Sequence, residues 1–432
     1  MKTILITAYA INPYKGSEDG TGWNWVKHLA RYYRVIAITR ENNLPPIRQY
    51  LAEQAVPYAD RMEFVGFDLP KKLRFWKRGS FGALPYFVWW EKSLPKFIQQ
   101  SGLEFDLAHH LNFHNDWTPS YLWKLGKPWV WGPIGHHPAV PKAYITPFYG
   151  WKAWAKDRLR WGIKKAFWHG SPALRSSARQ ASRILTMNSS VEKVLPLDAD
   201  KCFRMPQVGA AEPVLTEDLE DEGIFQILTV GRFVPIKGID LAILAYARFF
   251  QQLNPLQKSR VRLTIVGKGP WQAALQDLAA SFTLGNSLRF VSWMPQEDLR
   301  SLYQQSQVFL FPSHEGAGMV VPEAFSYGLP VVCLNNIGPG EFVTPQSGIK
   351  VPGGTYQETA DQLASALGRL YASPTLLTSL KQGAKTRFDQ WFNWEVKAAL
   401  IHQLYEEILE EAPYRDRSFT EQLHGQSPGL AT

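Results

Sequence analysis

Two glutamates separated by a small-residue turn follow a strongly apolar segment in the second half of this chain. Glu315 and Glu323 are eight residues apart, and Gly316-Ala317-Gly318 lies between them. The preceding residues Val308-Phe309-Leu310-Phe311 are typical of a buried strand. A strand that ends in such a turn and opens a helix directs free backbone amides outward, where they bind anions. Carboxylates accept hydrogen bonds from hydroxyl groups, so the pattern suits a ligand with both sugar and phosphate parts.

Two solvated glutamates on a surface helix would give the same local pattern, so the choice between a ligand site and a plain surface helix depends on other motifs. Gly231-Arg232 and Lys237-Gly238 lie on one loop between a strand pattern and a helix pattern. Arg binds phosphate oxygens with a two-pronged guanidinium group, and Lys adds a point charge. Solvated surface cations are the alternative, but a glycine beside each cation favours a diphosphate site.

Two weaker motifs follow the next two strand patterns. Gly267 and Gly269 are explained equally well by a turn that needs positive φ angles. The segment Ser292-Trp293-Met294-Pro295 is a candidate backbone contact for a nucleotide base, and a simple turn explains it equally well.

The composition narrows the class of protein. The chain has 432 residues, 45% hydrophobic and 20% charged, which indicates a globular protein with two domains of ordinary size. Its apolar runs are too short to span a bilayer, and we interpret the first apolar stretch as a strand and not as a signal peptide. Cys202 and Cys333 are the only cysteines, which excludes a disulfide framework and fits a reducing compartment. The net charge of +9 favours an anionic partner, but no nucleic-acid-binding motif is present.

Strand and helix patterns alternate in both halves of the chain. The first half begins with a strand at Thr3–Ala10, a Gly-rich loop at Gly16–Gly22, a helix at Trp23–Tyr33 and a strand at Arg34–Thr39. The second half repeats this alternation from Ile224 to Leu334. The predicted fold class is therefore α/β, with two doubly wound Rossmann-like domains facing each other across a cleft. Ligands of such sheets bind at the carboxyl ends of the strands.

We expect four segments along the chain. Residues 1–205 form an N-terminal, acceptor-side domain, and residues 206–390 form a C-terminal domain that binds a nucleotide sugar. Residues 391–412 form a helix that packs back on the first domain, because a long helical pattern runs from Asn393 to Glu411. Residues 413–432 are polar without periodicity, which predicts a loose tail.

Taken together, the motifs resemble the retaining glycosyltransferases of family 4, which have the GT-B fold. Their order and spacing agree from about Ile224 to Leu404 for Gly231-Arg232…Lys237-Gly238, Ile265-Val266-Gly267-x-Gly269-Pro270, Val308-Phe309-Leu310-Phe311-Pro312-Ser313, Glu315-x7-Glu323 and Gly328-x-Pro330-Val331-Val332. In the first half, a looser resemblance covers Gly16-Ser17-Glu18-x-Gly20-x-Gly22-Trp23 and Trp131-Gly132-Pro133-Ile134-Gly135.

The resemblance implies roles for four side chains. Arg232 and Lys237 would bind the donor diphosphate and stabilise the leaving group. Glu323 would hold the ribose hydroxyls, and Glu315 would contact the donor sugar. Further donor contacts would come from Gly16 across the cleft, Met294 and the backbone amides of Gly318, Met319 and Val320. The resemblance implies no metal and no cofactor beyond the nucleoside-diphosphate sugar itself. The pair in Asp198-Ala199-Asp200 is similar to a metal motif of another glycosyltransferase fold, and we attribute it to chance.

A histidine of this family often lies near the donor sugar, at the strand end that Leu107–His110 would form. His109, His110 and His114 compete for that place. Alternation along a strand points His109 and His110 to opposite faces, and we assign the role to His110. The pair His136-His137 is a candidate for shaping the acceptor site.

Two segments combine aromatic and basic residues. One runs from Lys71 to Trp90, and the other runs from Tyr144 to Trp168. In the second, Trp154, Trp161 and Trp168 are seven residues apart and share one helix face. Lys and Arg beside Trp on a helix suit an anionic membrane surface. Packing of the Trp face on the domain core, with solvated cations outside, is the alternative.

The leading hypothesis is a glycosyltransferase that moves a sugar from a nucleoside diphosphate to an acceptor hydroxyl with retention. Its acceptor would be a saccharide or a lipid-linked sugar in polysaccharide or glycolipid synthesis, and the protein would be cytoplasmic and peripheral at the inner face of the plasma membrane. A nucleotide-sugar epimerase is an alternative, although it leaves the basic-aromatic segments without a purpose. A catalytically idle nucleotide-sugar-binding scaffold on the membrane is another, although the intact carboxylates and cations argue against it.

Overall fold

The computed structural model describes residues 1–70, 72, 82–111, 115–215, 223–292, 294 and 298–424, with side chains described as far as Glu411. Its strands are β1 Thr3–Thr7, β2 Arg34–Thr39, β3 Met62–Gly66, β4 Leu107–His110, β5 Trp129–Ile134, β6 Arg183–Thr186, β7 Cys202–Arg204, β8 Phe225–Val230, β9 Val261–Val266, β10 Leu288–Val291, β11 Val308–Phe311, β12 Val331–Leu334 and β13 Gly348–Val351. Its helices are α1 Ser17–Leu29, α2 Leu44–Glu53, α3 Ala83–Gln100, α4 Lys142–Gly170, α5 Pro172–Gln180, α6 Val191–Val194, α7 Ile239–Gln251, α8 Pro255–Lys258, α9 Gln272–Ala280, α10 Leu299–Gln305, α11 Val320–Ser326, α12 Pro339–Phe342, α13 Tyr356–Ala372, α14 Pro374–Arg387 and α15 Trp394–His424.

The strands form two parallel sheets, one in each half of the chain. The first sheet has the order β3-β2-β1-β4-β5-β6-β7, and the second has the order β10-β9-β8-β11-β12-β13. Most residues of the central strands are apolar and buried, because helices cover both faces of each sheet. The predicted fold class of two doubly wound Rossmann-like domains is confirmed. The strand order reverses between β1 and β4 and between β8 and β11, and such switch points are where these sheets bind ligands.

The first helix starts earlier than its sequence predicts. The glycines at 16–22 suggest a loop before Trp23, yet α1 begins at Ser17 and includes Gly20 and Gly22. A Cβ atom on Gly20 would lie 2.3 Å from the backbone oxygen of Lys15, and one on Gly22 would lie 2.3 Å from that of Ala10. These glycines therefore allow the helix to pack closely on the chain that leaves β1, and they do not mark a loop.

The last helix lies against the first domain. Trp394 packs edge-on against Trp25, with ring centroids 5.9 Å apart, and Tyr405 joins the same buried cluster. The helix also runs past Glu411 to His424, so residues 413–424 are helical and the expected loose tail is wrong for them. A helix already formed extends at little cost, because only its first turn is expensive to nucleate. Residues 425–432 lie outside the described part.

Helix α4 contacts both domains. It changes direction at a kink at Gly150, which has φ 78° and ψ 174°. Before the kink, Ile145 and Tyr149 pack with Ile236 and Trp271 of the second domain. After it, the helix returns along the first domain. Within the described residues, every helix is too short or too polar to cross a lipid bilayer.

The Trp stripe of α4 turns inward. Trp168 is buried, and the partly buried Trp161 packs against the same cluster of the first domain, whereas Trp154 joins the small cluster between the domains. The interpretation of this stripe as a membrane contact is therefore wrong, because the apolar neighbours of the Trp side chains are protein. In the first basic-aromatic segment, residues 71 and 73–81 lie outside the described part, whereas Tyr86, Phe87 and Trp90 are buried in the core of the first domain.

Candidate functional site

An ion pair forms at the switch point of the second sheet. Lys237 donates to both carboxylate oxygens of Glu315, with Nζ 2.8 Å from Oε1 and 2.6 Å from Oε2. The ammonium group also lies 5.2 Å from the centre of the Phe311 ring. Lys237 comes from the loop after β8 and Glu315 from the loop after β11, so the structure brings together two residues that the sequence places 78 positions apart.

The backbone holds these two loops together. The amide of His314 donates to the carbonyl of Ile236 at 2.8 Å, and the hydroxyl of Ser313 donates to the same oxygen at 3.1 Å. Gly238 has φ 65°, and a Cβ atom there would lie 2.2 Å from the carbonyl oxygen of Pro312. Only glycine fits this approach, so the glycine beside Lys237 serves the contact between the loops.

Arg232 is at the other end of the Lys237 loop. Its side chain is exposed, whereas Lys237 is partly buried. The two predicted cations thus share one loop but differ in environment: one is paired with a carboxylate, and the other extends into solvent.

Glu323 lies in the first turn of α11, and its carboxylate accepts a hydrogen bond from the hydroxyl of Tyr303 at 3.0 Å. The Tyr303 ring stacks on Tyr327, with centroids 5.4 Å apart. Burial raises the pKa of Glu323 to about 7, although the Tyr303 hydrogen bond and the charge of Lys237 both act to lower it. Tyr303 is not among the predicted site residues, because its position on the preceding helix gives no sign in the sequence of which side chain it will contact.

The remaining predicted donor contacts have mixed environments. Gly318, Met319 and Val320 lie at the start of α11, where the first amides of a helix lack partners within it. Met294 is partly buried against the apolar cluster that contains Val230 and Phe311. Gly16 is exposed and precedes α1. Ser17, the first residue of that helix, has φ 58°, an uncommon conformation for a residue other than glycine.

The Glu315 loop also contacts the first domain. The amide of Gly316 donates to Nδ1 of His137 at 3.2 Å. The side-chain amide of Asn188 donates to the carbonyl oxygens of Gly316 at 2.8 Å and His136 at 2.9 Å. A Cβ atom on Gly316 would lie 1.9 Å from the His136 oxygen, so glycine is needed where the domains meet. The candidate site therefore lies between the domains, and the pair His136-His137 borders it.

A buried pair lies behind His136. Its Nδ1 is 2.7 Å from Oδ2 of Asp116, and the imidazole ring also packs against Trp168 of α4. His136 is a predicted site residue, but its acidic partner is not, because Asp116 is twenty residues away in the sequence.

The two adjacent histidines of β4 have different partners. In His109, Nε2 donates to the carbonyl of Gly132 at 2.6 Å and Nδ1 accepts from the hydroxyl of Tyr405. Burial lowers the pKa of His109 to about 3, so this ring is neutral and part of the core. His110 points the other way and lies with Nδ1 3.3 Å from a carboxylate oxygen of the buried Glu91 on α3. His114 lies outside the described residues.

The structure assigns the acidic pair near residue 200 to local capping. The side chain of Asp198 accepts from the amide of Asp200 at 3.2 Å and caps a short turn. Among the described residues, no group of three or more His, Cys, Asp or Glu side chains is arranged to hold a metal ion.

Part of the second half of the chain matches a known protein family. Residues 216–387 match the family described as glycosyl transferases group 1. The D-inositol 3-phosphate glycosyltransferase of Acidothermus cellulolyticus is 33% identical over 193 residues, which are 43% of this chain and 41% of that protein. The chain thus aligns with less than half the length of this curated relative.

Two solved structures cover nearly the whole chain. Sucrose-phosphate synthase from Thermosynechococcus elongatus superposes with a TM-score of 0.64 at 20% identity, covering 95% of this chain and all of that one. Anabaena HepE, solved in complex with UDP and glucose, superposes with a TM-score of 0.58 at 18% identity, covering 94% of this chain and all of that one. The chain therefore has the GT-B fold, and most of its second half matches the group 1 glycosyl transferase family.

Proposed function

We propose that this chain is a retaining glycosyltransferase of family 4 that transfers a sugar from a nucleoside diphosphate to an acceptor hydroxyl. The observation that carries the proposal is the Lys237–Glu315 ion pair, which joins a cation and a carboxylate at the switch point of the second sheet. A nucleotide sugar needs both: a cation for its phosphates and a carboxylate for its hydroxyls.

The leaving nucleoside diphosphate gains negative charge as its bond to the sugar breaks. Lys237 and Arg232 stabilise that charge, Lys237 from its fixed place beside Glu315 and Arg232 from its exposed position. Because Lys237 already binds Glu315, the diphosphate and the carboxylate compete for the ammonium group. As the diphosphate draws the ammonium group away, a carboxylate oxygen of Glu315 is released to accept from a hydroxyl of the donor sugar.

Glu323 binds the ribose hydroxyls, and Tyr303 holds its carboxylate in place. The amides of Gly318, Met319 and Val320 face the sugar and phosphates, Met294 borders the base, and Gly16 approaches the diphosphate from the first domain. HepE was solved with UDP and glucose, so UDP-glucose is the first donor to test.

From the first domain, His110 contacts the donor sugar, with Glu91 behind it. The acceptor oxygen bonds to the anomeric carbon on the same face from which the nucleoside diphosphate leaves, so the anomeric configuration is retained. The departing phosphate takes the proton of the acceptor hydroxyl. The acceptor is a saccharide or lipid-linked sugar of polysaccharide or glycolipid synthesis, at the cytoplasmic face of a membrane.

A thermal-shift panel with UDP, GDP, ADP, CDP and TDP, on the wild type and on Lys237→Ala, tests the donor site. A ligand at a hundredfold over its dissociation constant should stabilise the fold by about 2.7 kcal/mol. We expect one diphosphate to stabilise the wild type but not the variant. Stabilisation of neither protein, or of both equally, would contradict the donor site.

Nuclear magnetic resonance of the product then tests the reaction. Transfer to an added acceptor with the donor's anomeric configuration is expected. Inversion at the anomeric carbon would contradict retention. Conversion of the donor sugar to an epimer without acceptor would show an epimerase instead.

A further inference from the structure

Beyond Gly150, α4 presents a second stripe of apolar side chains on the side opposite to its inward Trp residues. Trp151, Leu159 and Ile163 are exposed by 68%, 69% and 45%. Leu159 and Ile163 are four residues apart and thus adjacent on the helix surface. Trp161 and Trp168 lie on the reverse side, in contact with the core of the first domain. The helix is therefore apolar on both sides, although only one side has a protein partner within the described residues.

Cations border this apolar stripe. Lys152, Lys156 and Arg160 are four residues apart in succession and exposed, so they share the outward side of the helix. The only acidic residue from 151 to 170 is Asp157, which faces the protein and accepts from Arg158 at 2.7 Å and from the amide of Val140 at 3.2 Å. We call this surface the outer face of α4; it consists of Trp151, Lys152, Lys156, Leu159, Arg160 and Ile163.

We propose that the outer face of α4 docks the protein on an anionic lipid bilayer. Apolar side chains in the middle of such a face enter the boundary between headgroups and acyl chains, and the cations beside them bind the phosphates of the headgroups. A nucleic acid would use the cations but leave the exposed Leu159 and Ile163 in water. The outer face of α4 carries cations and no acidic side chain, so its charge complements anionic lipid headgroups and favours the bilayer over a protein partner.

The docked helix would lie close to the candidate site. Lys164, on the inner side of α4, donates to the carbonyl of His137 at 3.1 Å, and His137 accepts from the amide of Gly316 beside Glu315. A bilayer on the outer face therefore lies one helix thickness from the border between the domains. This inference deepens the proposed function, on which it depends for the acceptor: a sugar carried by a lipid reaches the site from that side.

Vesicle sedimentation tests the docking without any acceptor. The full chain is mixed with vesicles of phosphatidylcholine alone, or of phosphatidylcholine with phosphatidylglycerol. Two double variants probe the face: Lys152→Glu with Lys156→Glu, and Leu159→Gln with Ile163→Gln. The matched control is Leu256→Gln with Arg260→Glu, an exposed apolar residue and an exposed cation on the second domain.

We expect the wild type and the control to sediment with the anionic vesicles only, and less so at high salt. Each double variant should bind at least about tenfold more weakly, since each cation and each buried apolar side chain adds to membrane affinity. Equal sedimentation of variants and wild type, or none by the wild type, would overturn the proposal. A change in oligomeric state on size exclusion, with vesicle binding unchanged, would overturn it in favour of contact between two copies.

The nucleotide thermal shift, measured on the same variants, separates the two proposals. The outer-face variants should keep the wild-type shift with the nucleoside diphosphate, because their side chains point away from the site. Vesicle binding without a nucleotide shift would contradict the donor site alone. A nucleotide shift without vesicle binding would contradict the docking alone.

Discussion

Lys237 and Glu315 form an ion pair in which one ammonium group contacts both oxygens of one carboxylate, at 2.8 and 2.6 Å. The pair joins the loops that follow the two central strands of the second sheet, β8 and β11. Each partner fixes the position of the other, and both remain partly exposed to the cleft.

Replacing Lys237 by Ala should abolish binding of the donor diphosphate and lower the rate of transfer. Loss of one preorganised charge at a leaving group typically costs about a hundredfold to a thousandfold in rate. Steady-state kinetics of the purified variant measure this effect. Lys385→Ala is the matched control, because it breaks an exposed ion pair with Glu212 in the same domain. A similar loss in both variants would indicate a general effect on the fold.

Replacing Glu315 by Gln should separate nucleotide binding from transfer. Without the carboxylate, Lys237 has no competitor for the diphosphate, so the dissociation constant of the free nucleoside diphosphate should stay equal or fall. Transfer should nevertheless drop about a hundredfold or more, because the contact with the donor sugar is lost. Titration calorimetry and a transfer assay on the same sample test both parts. Nucleotide binding as weak as that of Lys237→Ala would contradict the competition.

Replacing Tyr303 by Phe should weaken donor binding and move its pH dependence. Burial raises the pKa of Glu323 to about 7, so this side chain becomes ionised as the pH rises through that value. Donor binding should increase over the same pH range. Tyr303 lowers this pKa by donating a hydrogen bond, so its loss should shift the midpoint to higher pH. The Michaelis constant should rise about five- to tenfold at neutral pH.

The control for this prediction is Tyr327→Phe, which keeps the stacked pair of rings and leaves the hydrogen bond between Tyr303 and Glu323 intact. Profiles of donor binding against pH are compared for the two variants and the wild type. An unchanged midpoint in Tyr303→Phe would show that the hydroxyl does not act through Glu323.

Asp240 offers a pH test of stability. This buried carboxyl accepts from Tyr149 of α4 at 2.8 Å and from Tyr356 of α13 at 2.9 Å, and burial raises its pKa to about 6. A raised pKa means that the folded state binds the proton more tightly. The contribution of Asp240 to stability is thus complete below about pH 4 and is lost as the pH rises through about 6.

Asp240→Asn removes this titration while keeping an acceptor and a donor for the two tyrosines. Relative to the variant, the wild type should lose free energy of unfolding as the pH rises from 4 to 7, by at most about 3 kcal/mol. Urea unfolding followed by Trp fluorescence at several pH values measures the difference. A difference that is constant across this range would contradict the assignment.

Sequence patterns predicted the strands that form both switch points. The bounds of β4 and β11 agree with those expected, because buried parallel strands are short apolar runs between polar turns. The two loop cations and Glu315 could be located for the same reason, since they lie in the loops that follow β8 and β11, and Glu323 lies in the helix after β11.

Contacts between segments that are distant in the sequence could not be predicted from local sequence patterns. Tyr303 meets Glu323, and His109 meets Tyr405 across 296 positions, through packing that no local pattern encodes. Helix α4 shows a related difficulty: its Trp periodicity predicts a stripe, but both sides carry apolar residues, so only the structure distinguishes the inner side. The glycines of α1 led to a wrong prediction of a loop for another reason. Glycine occurs both in flexible loops and where a helix packs closely on the backbone, so its presence does not distinguish the two.

The placement of α15 has a consequence for how the protein is made. A ribosome releases β1 to β7 long before it reaches Tyr405, so the nascent first domain waits with α1, but not yet α15, packed against His109 while the second domain is synthesised. That second domain carries its own core and can fold in the meantime. The domain that begins first is therefore completed last, and a nascent chain stalled within the second domain would present to chaperones the apolar surface that α15 covers.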